Sequence, residues 1–206
     1  MVSLANHDRK EGIVATDRQC STQARAKLEA EYSHFVHQAE QNGMGDFATN
    51  LFFYDGITRD RIDIVEFALE KGADVNAGVD DEAGPFAFHA TSIPMLELLF
   101  QSGASVTLSS PFGWGGNWLT AAIRANGTGH SLEVMEFLLV RGVSVTAEDA
   151  DGNTPLALAR ERQKSLAREV EAERAKSKSE YLPEMEAELE RRNSVIGLLL
   201  KYGAKN

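Results

Sequence analysis

The chain has one cysteine, Cys20, so no internal disulfide can form. Its fold must be held by packing and hydrogen bonds, and the residue usage reads as cytoplasmic. No apolar run approaches the roughly 20 residues of a membrane span. The opening stretch, MVSLANHDRKEGIVATDRQ, has no apolar segment long enough for a signal peptide. Between Lys71 and Arg124 there is no Lys or Arg, while Asp74, Asp80, Asp81, Glu82 and Glu97 fall in that window. The formal net charge is −10. Phosphate backbones would be repelled, so no nucleic-acid partner is expected; the surplus acid either serves solubility or forms a face that steers a basic protein. No Ser/His/Asp set, phosphate loop or zinc-protease helix occurs. No catalytic residue and no cofactor are assigned.

What is present is a short pattern occurring four times. It reads IDIVEFALEKGADVNA at 62–77, MLELLFQSGASVTL at 95–108, LEVMEFLLVRGVSVTA at 132–147 and SVIGLLLKYGAK at 194–205. Each copy is an apolar helical stretch, a glycine, then a small residue. Glycines 72, 103, 142 and 203 stand where the helix must stop, because glycine takes the left-handed terminal conformation without a Cβ clash. Each apolar face is wider than one partner helix would cover, which suits a helix packed between two neighbouring units. Recurrence of this kind points to a presented surface rather than one deep pocket.

These residues resemble the ankyrin repeat, a β-turn plus two helices. The best match to its turn and first helix is Asp149-Ala150-Asp151-Gly152-Asn153-Thr154-Pro155-Leu156-Ala157-Leu158-Ala159. Lys71-Gly72-Ala73-Asp74-Val75-Asn76-Ala77 matches the end of the unit. Gly84-Pro85-Phe86, Asn117-Trp118-Leu119-Thr120-Ala121-Ala122 and Asn50-Leu51-Phe52 are degenerate first-helix starts. The turn glycines are 31, 39 and 61 residues apart, against a family period of about 33.

The expected fold class is all-α: a solenoid of about four helix-turn-helix repeats with an N-terminal capping helix and a long C-terminal antiparallel helical hairpin. Residues 1–20 are expected as a flexible tail and 21–45 as the cap, its helix starting at Ser21 or Thr22 and ended by Gly43 and Gly45. Residues 46–206 form the array, divided 46–78, 79–108, 109–148 and 149–206. The last unit carries an insertion at about 160–192, with nine basic and nine acidic residues from Arg160 to Arg192. The outgoing strip Leu156, Ala159, Leu166 and Val170 is broken at Gln163. The returning strip Leu182, Met185, Leu189, Ile196 and Leu199 is broken at Arg192. A helix from Thr154 to about Ser179 would be roughly 39 Å long, with the chain turning near Tyr181–Pro183.

The resemblance implies that partners sit on turn tips and first-helix faces. Its three fingers here are Val79-Asp80-Asp81-Glu82, Pro111-Phe112-Gly113-Trp114-Gly115-Gly116 and Asp149-Ala150-Asp151-Gly152. The candidate contact residues are Asp80, Asp81, Glu82, Phe112, Trp114, Asp151, Asn153 and Arg124, the last opening a small insertion at 124–130. Trp114, among three glycines, suits an exposed aromatic anchor; the alternative is that it folds back on the adjacent helices. Asp149 has a turn-forming role of its own, and Trp118 is expected to be packed. His34 and His37 lie one helical turn apart, a spacing that can hold a metal, but no cysteine or third histidine is near in sequence and no metal site is assigned.

The expected function is non-enzymatic: an inhibitor or immunity-type protein that sequesters one basic protein, a toxin or enzyme, through its fingers and concave face. The chain is expected as a monomer or a 1:1 complex without membrane contact. The alternatives are an ankyrin-type adaptor or secreted effector, and an enzyme or ligand-binding protein using the helical arm.

Overall fold

A computed structural model describes residues 5–79, 84–109, 116–124, 131–176 and 179–205, with residues 5–21 and 79 as backbone only. Among the described residues the protein is all-α, with eight α-helices. Among the described residues it has one two-stranded sheet, a two-residue antiparallel pair of β1 (Gly78–Val79) with β2 (Gly84–Pro85). The chain divides into two compact units, residues 1–56 with 63–73, and residues 57–62 with 74–206. The division falls inside the stretch expected to be one array.

In the first unit, α1 spans Ala5–Gln41, α2 Ala48–Thr58 and α3 Ile62–Glu70. The helix α1 therefore starts well before Ser21, and no helix begins at Ser21 or Thr22 as expected; nothing in residues 5–21 is a proline that would stop it. The core is aromatic. Phe52 meets Tyr32 and Phe35 edge-on at 5.4 and 5.3 Å, and Tyr32 meets Phe67 at 5.7 Å. Cations close the top of this stack. Arg25 lies 5.6 Å over Phe67 and pairs with Glu70 at 2.8 Å, while Lys71 lies 5.1 Å from the same ring and pairs with Glu29 at 2.9 Å.

The second unit holds α4 (Ile93–Gln101), α5 (Trp118–Arg124), α6 (Leu132–Val140), α7 (Pro155–Arg174) and α8 (Leu182–Lys201). Starts are set by small polar side chains that accept an amide of the first turn: Ser92 from Met95, Ser131 from Val134 and Thr154 from Ala157. At α5, Asn117 accepts from Leu119 and Thr120. Residues 86–89, expected to open a first helix, form a 3-10 turn instead. Only two residues separate that turn from the Ser92 cap, and Ala90 is already extended, so there is no length for an α-helix.

The ends of α3, α4, α6 and α8 share one geometry. The glycine has φ of 96°, 96°, 85° and 91° at positions 72, 103, 142 and 203. The residue after it donates to the carbonyl five residues back: Ala73 to Ala68, Ala104 to Leu99, Val143 to Leu138 and Ala204 to Leu199, at 2.9–3.1 Å. The glycine amide donates three residues back in each case. This pair of bonds satisfies carbonyls that a helix end leaves orphaned. A fifth copy ends α1, where Gly43 has φ 74° and Met44 donates to Ala39. Two residues past three of the glycines a side-chain oxygen accepts an amide two residues on: Asp74 from Asn76, Ser105 from Thr107 and Ser144 from Thr146.

In the second unit these turns are linked by polar side chains, Asn117 and Trp118 buried and Asn76 half-buried. Asn76 Oδ1 accepts from the Ser105 amide at 2.9 Å. The Trp118 indole donates to the Ser105 carbonyl at 3.0 Å, and Asn117 donates to the Ser144 carbonyl at 2.6 Å. Trp118 is packed as expected, its ring between Phe88 at 5.1 Å and Phe100 at 5.0 Å.

The α7/α8 hairpin buries Leu156, Ala159, Leu166 and Val170. The two residues that break its apolar strips belong to one polar layer: Gln163 donates to Asn193 at 3.2 Å, and Arg192 donates to the Arg162 carbonyl at 2.7 Å and to Glu188 at 2.9 Å. Near the far end Arg174 bonds Glu186 with two nitrogens, at 2.9 and 2.6 Å. The outgoing helix stops at Arg174, short of the expected Ser179, giving roughly 30 Å of helix. No large apolar residue follows Arg174 before Tyr181, so there is nothing further to bury against α8. Pro183 lies inside the first turn of α8 rather than at the bend, a position that needs no amide.

Gly142→Ala is expected to lower stability by about 1–2 kcal/mol, read by urea denaturation, and Gly142→Asn by less. Nothing lies within 4 Å of a Cβ at this site, so the loss measures backbone strain alone. An unchanged midpoint for the alanine variant would show that the turn does not need the left-handed residue.

Candidate protein-binding surface

The three finger loops are described to different extents. At the first, the ladder pairs Gly78 with Pro85 and Val79 with Gly84. A Cβ at Gly78 would come within 2.7 Å of the Gly84 carbonyl oxygen, so the two strands approach backbone to backbone. The expected contact residues Asp80, Asp81 and Glu82 lie outside the described residues. So do Phe112 and Trp114 at the second finger. The base of that finger is described: Gly116 has φ 101°, and a Cβ there would meet Thr120 Oγ1 at 2.2 Å and Asp149 Cβ at 3.1 Å. Gly116 is thus pinned by both its backbone angle and its neighbours.

The third finger is complete, and it is organised by Asp149. One carboxylate oxygen accepts the amides of Asp151 and Asn153 at 3.0 and 2.8 Å. The Asp149 amide donates to the Asn153 carbonyl, and the Gly152 amide to the Asp149 carbonyl. The other carboxylate oxygen accepts from Arg124 Nη2. The same nitrogen lies 3.4 Å from Asp151. The side chain of Asp149 is fully buried, whereas that of Asp151 is 71% exposed. The finger therefore has a buried anion at its root and an exposed one, more loosely held by the same arginine, at its tip.

Of the expected contact residues, the structure brings Arg124, Asp151 and Asn153 together. They play different parts. Asp151 presents its carboxylate to solvent. The Asn153 amide closes the turn, and its side chain is half-buried. Arg124 is turned inward, 21% exposed, tying the end of α5 to the turn that precedes α7. Its Nε is buried with no hydrogen-bond partner. The sequence reading missed Gly116 and Asn117 as the elements that place the second finger. The signal was available for Asn117, a helix-capping residue immediately before an apolar helix start.

The electrostatics follow from this geometry. Burial alone would raise the Asp149 carboxyl, but the Arg124 guanidinium and the amides of Asn153 and Asp151 more than offset it and hold it below the ordinary aspartate value. In the hairpin Glu188 behaves alike: burial raises it, and Arg192 and Arg191 bring it lower. His34 and His37 are both exposed on α1, and His37 Nε2 is 3.0 Å from Gln41 Nε2. No cluster of three metal-ligating side chains occurs among the described residues. Among them, too, no helix is long and apolar enough to cross a membrane.

Compared with known proteins, the chain matches no protein-family model and no curated sequence at a significant level.

Arg124→Ala is expected to cost about 3 kcal/mol at neutral pH, the low end of the range for a broken buried pair, because it strands a buried carboxylate that keeps two amide donors. Asp149 binds its proton more weakly in the folded chain than in the unfolded one. Its contribution is complete above the ordinary aspartate pKa of about 3.9 and is lost as pH falls through the lower folded value. Asp149→Asn should therefore flatten the acid limb of a stability-against-pH curve measured by urea denaturation. An acid limb as steep as that of the unaltered chain would assign it to other carboxylates.

Proposed function

We propose that this protein is a non-enzymatic binder built on ankyrin-type repeats, and that it sequesters one basic protein, as an inhibitor or immunity-type protein does. The observation that carries the repeat reading is the shared helix ending. The same two backbone bonds around a left-handed glycine close α3, α4, α6 and α8. Asn76 and Asn117 bridge to the turn that follows each of them and Trp118 to the turn that precedes it, as stacked units require. The match to the family's turn and first helix at 149–159 adds a second, independent support. There the structure has a hydrogen-bonded turn, a Thr154 cap and a helix opening on Pro155.

The fingers point to a basic partner. Repeats of this kind present loop tips, and here the tips are individualised. The first carries Asp80, Asp81 and Glu82 and the third the exposed Asp151, while the second carries Phe112 and Trp114. An aromatic anchor flanked by carboxylates fits a basic surface with an apolar recess. The net charge of −10 would speed the encounter with such a partner. The role of inhibitor rather than adaptor follows from the irregular spacing of the units, which suits one partner better than many.

Affinity purification from the native cell with mass spectrometry should recover one stoichiometric basic protein. Recovery of many unrelated proteins would favour the adaptor role. With that partner in hand, Trp114→Ala combined with Asp81→Lys should weaken the complex at least tenfold while the melting temperature stays close to that of the unaltered chain, since hot-spot residues of this kind each contribute about 2 kcal/mol or more. Unchanged affinity would mean that the fingers are not the binding face.

A further inference from the structure

In the first unit α1 and α3 lie side by side and leave a groove between them, with a volume of about 710 Å³. Its floor is apolar, supplied by Leu28 and Phe67, and its rim is acidic: Glu29 on one side, Asp63, Glu66 and Glu70 on the other. The three rim residues of α3 are spaced three and four apart, so they share one helical face. Glu66 is exposed and has no ion pair among the described residues. Lys71 already sits 5.1 Å from the Phe67 ring and holds Glu29, and the cation that lines the groove itself is Arg25. Its guanidinium rests over the Phe67 ring and holds Glu70. Both members of that pair are more than half exposed, so the bond is worth little and exchanges readily.

Arg25 thus makes the contacts that an incoming arginine or lysine would make: an aromatic face below and carboxylates around. A groove with an apolar floor and an excess of acid on its rim is complementary to a helix with an apolar side and basic flanks. We propose that the α1/α3 groove docks a basic amphipathic helix of the protein partner, with one cationic side chain replacing Arg25 over Phe67. This rests on the reading of the chain as a binder of a basic protein. It adds a contact made by residues other than those of the fingers.

The test uses the full chain, labelled with nitrogen-15, and a short amphipathic Lys/Leu helical peptide at low salt. Amide shifts should concentrate in residues 22–29 and 63–70, and a Glu/Leu peptide of the same pattern should give none. Glu66→Lys should weaken Lys/Leu binding at least tenfold. Arg25→Ala should tighten it about two- to fivefold, the worth of an exposed cation–π seat made vacant. Lys27→Ala removes the same charge from the same helix at a residue outside the groove, and should leave affinity unchanged. Equal tightening by Arg25→Ala and Lys27→Ala would overturn the proposal, leaving only a general acidic field. Shifts confined to the finger bases would overturn it too. Neither outcome touches the finger reading, which is judged by the Trp114 and Asp81 variant on the native complex.

Discussion

A helix that ends on a left-handed glycine commits the chain to one direction of exit, and this constraint organises the protein. The glycine lets the next residue turn back and bond the carbonyl five positions earlier. Ala68, Leu99, Leu138 and Leu199, which supply those carbonyls, are all essentially inaccessible to solvent. The polar end of each helix is therefore satisfied at the place where its side chains are most deeply packed. Without that bond, buried carbonyls would lack partners, at a cost of about 1–3 kcal/mol each. With it, the backbone leaves each helix in the same manner, and the following turn can be built from Asp74, Ser105 or Ser144 interchangeably.

Much of this was legible before any coordinates. The apolar spacing placed Leu156, Ala159, Leu166 and Val170 on one face, and all four are buried. The glycines marked the helix ends because their role is local, a matter of one φ angle. Interactions between residues far apart in the chain were not legible in the same way. Arg124 looked like a surface residue opening an insertion, but its guanidinium is bound to a carboxylate 25 positions later. The acids of α3 drew no attention as a set, since they become a rim only when α1 lies beside them. The 3-10 turn at 86–89 escaped notice because a degenerate helix start and a helix too short to form look alike in sequence. The end of α7 was misplaced by a similar limit: charged residues permit a helix to continue, and only the absence of something to pack against stops it.

Cations in this chain are used in two ways. Lys71 and Arg141 each stand immediately before a helix-ending glycine, and each folds over an aromatic ring four residues earlier, Phe67 and Phe137. The aliphatic stems shield the rings while the charges stay in water. Arg124 and Arg192, by contrast, hand hydrogen bonds from one element to another, to the buried Asp149 and to the Arg162 carbonyl. The first kind protects a unit's own core. The second kind joins segments that the helix ends alone would leave free to shift.

That second role has a consequence for the hairpin. An apolar seam of leucines and valines is nearly indifferent to a slide of one helical turn, about 5.4 Å. The layer formed by Gln163 with Asn193 and by Arg192 with the Arg162 carbonyl is not. Such a slide would part the Gln163 amide from Asn193 and take the guanidinium off its acceptor, leaving both without partners. The two residues that interrupt the apolar strips therefore act as an index mark. They give up a little hydrophobic contact so that two long helices can mate in a single alignment.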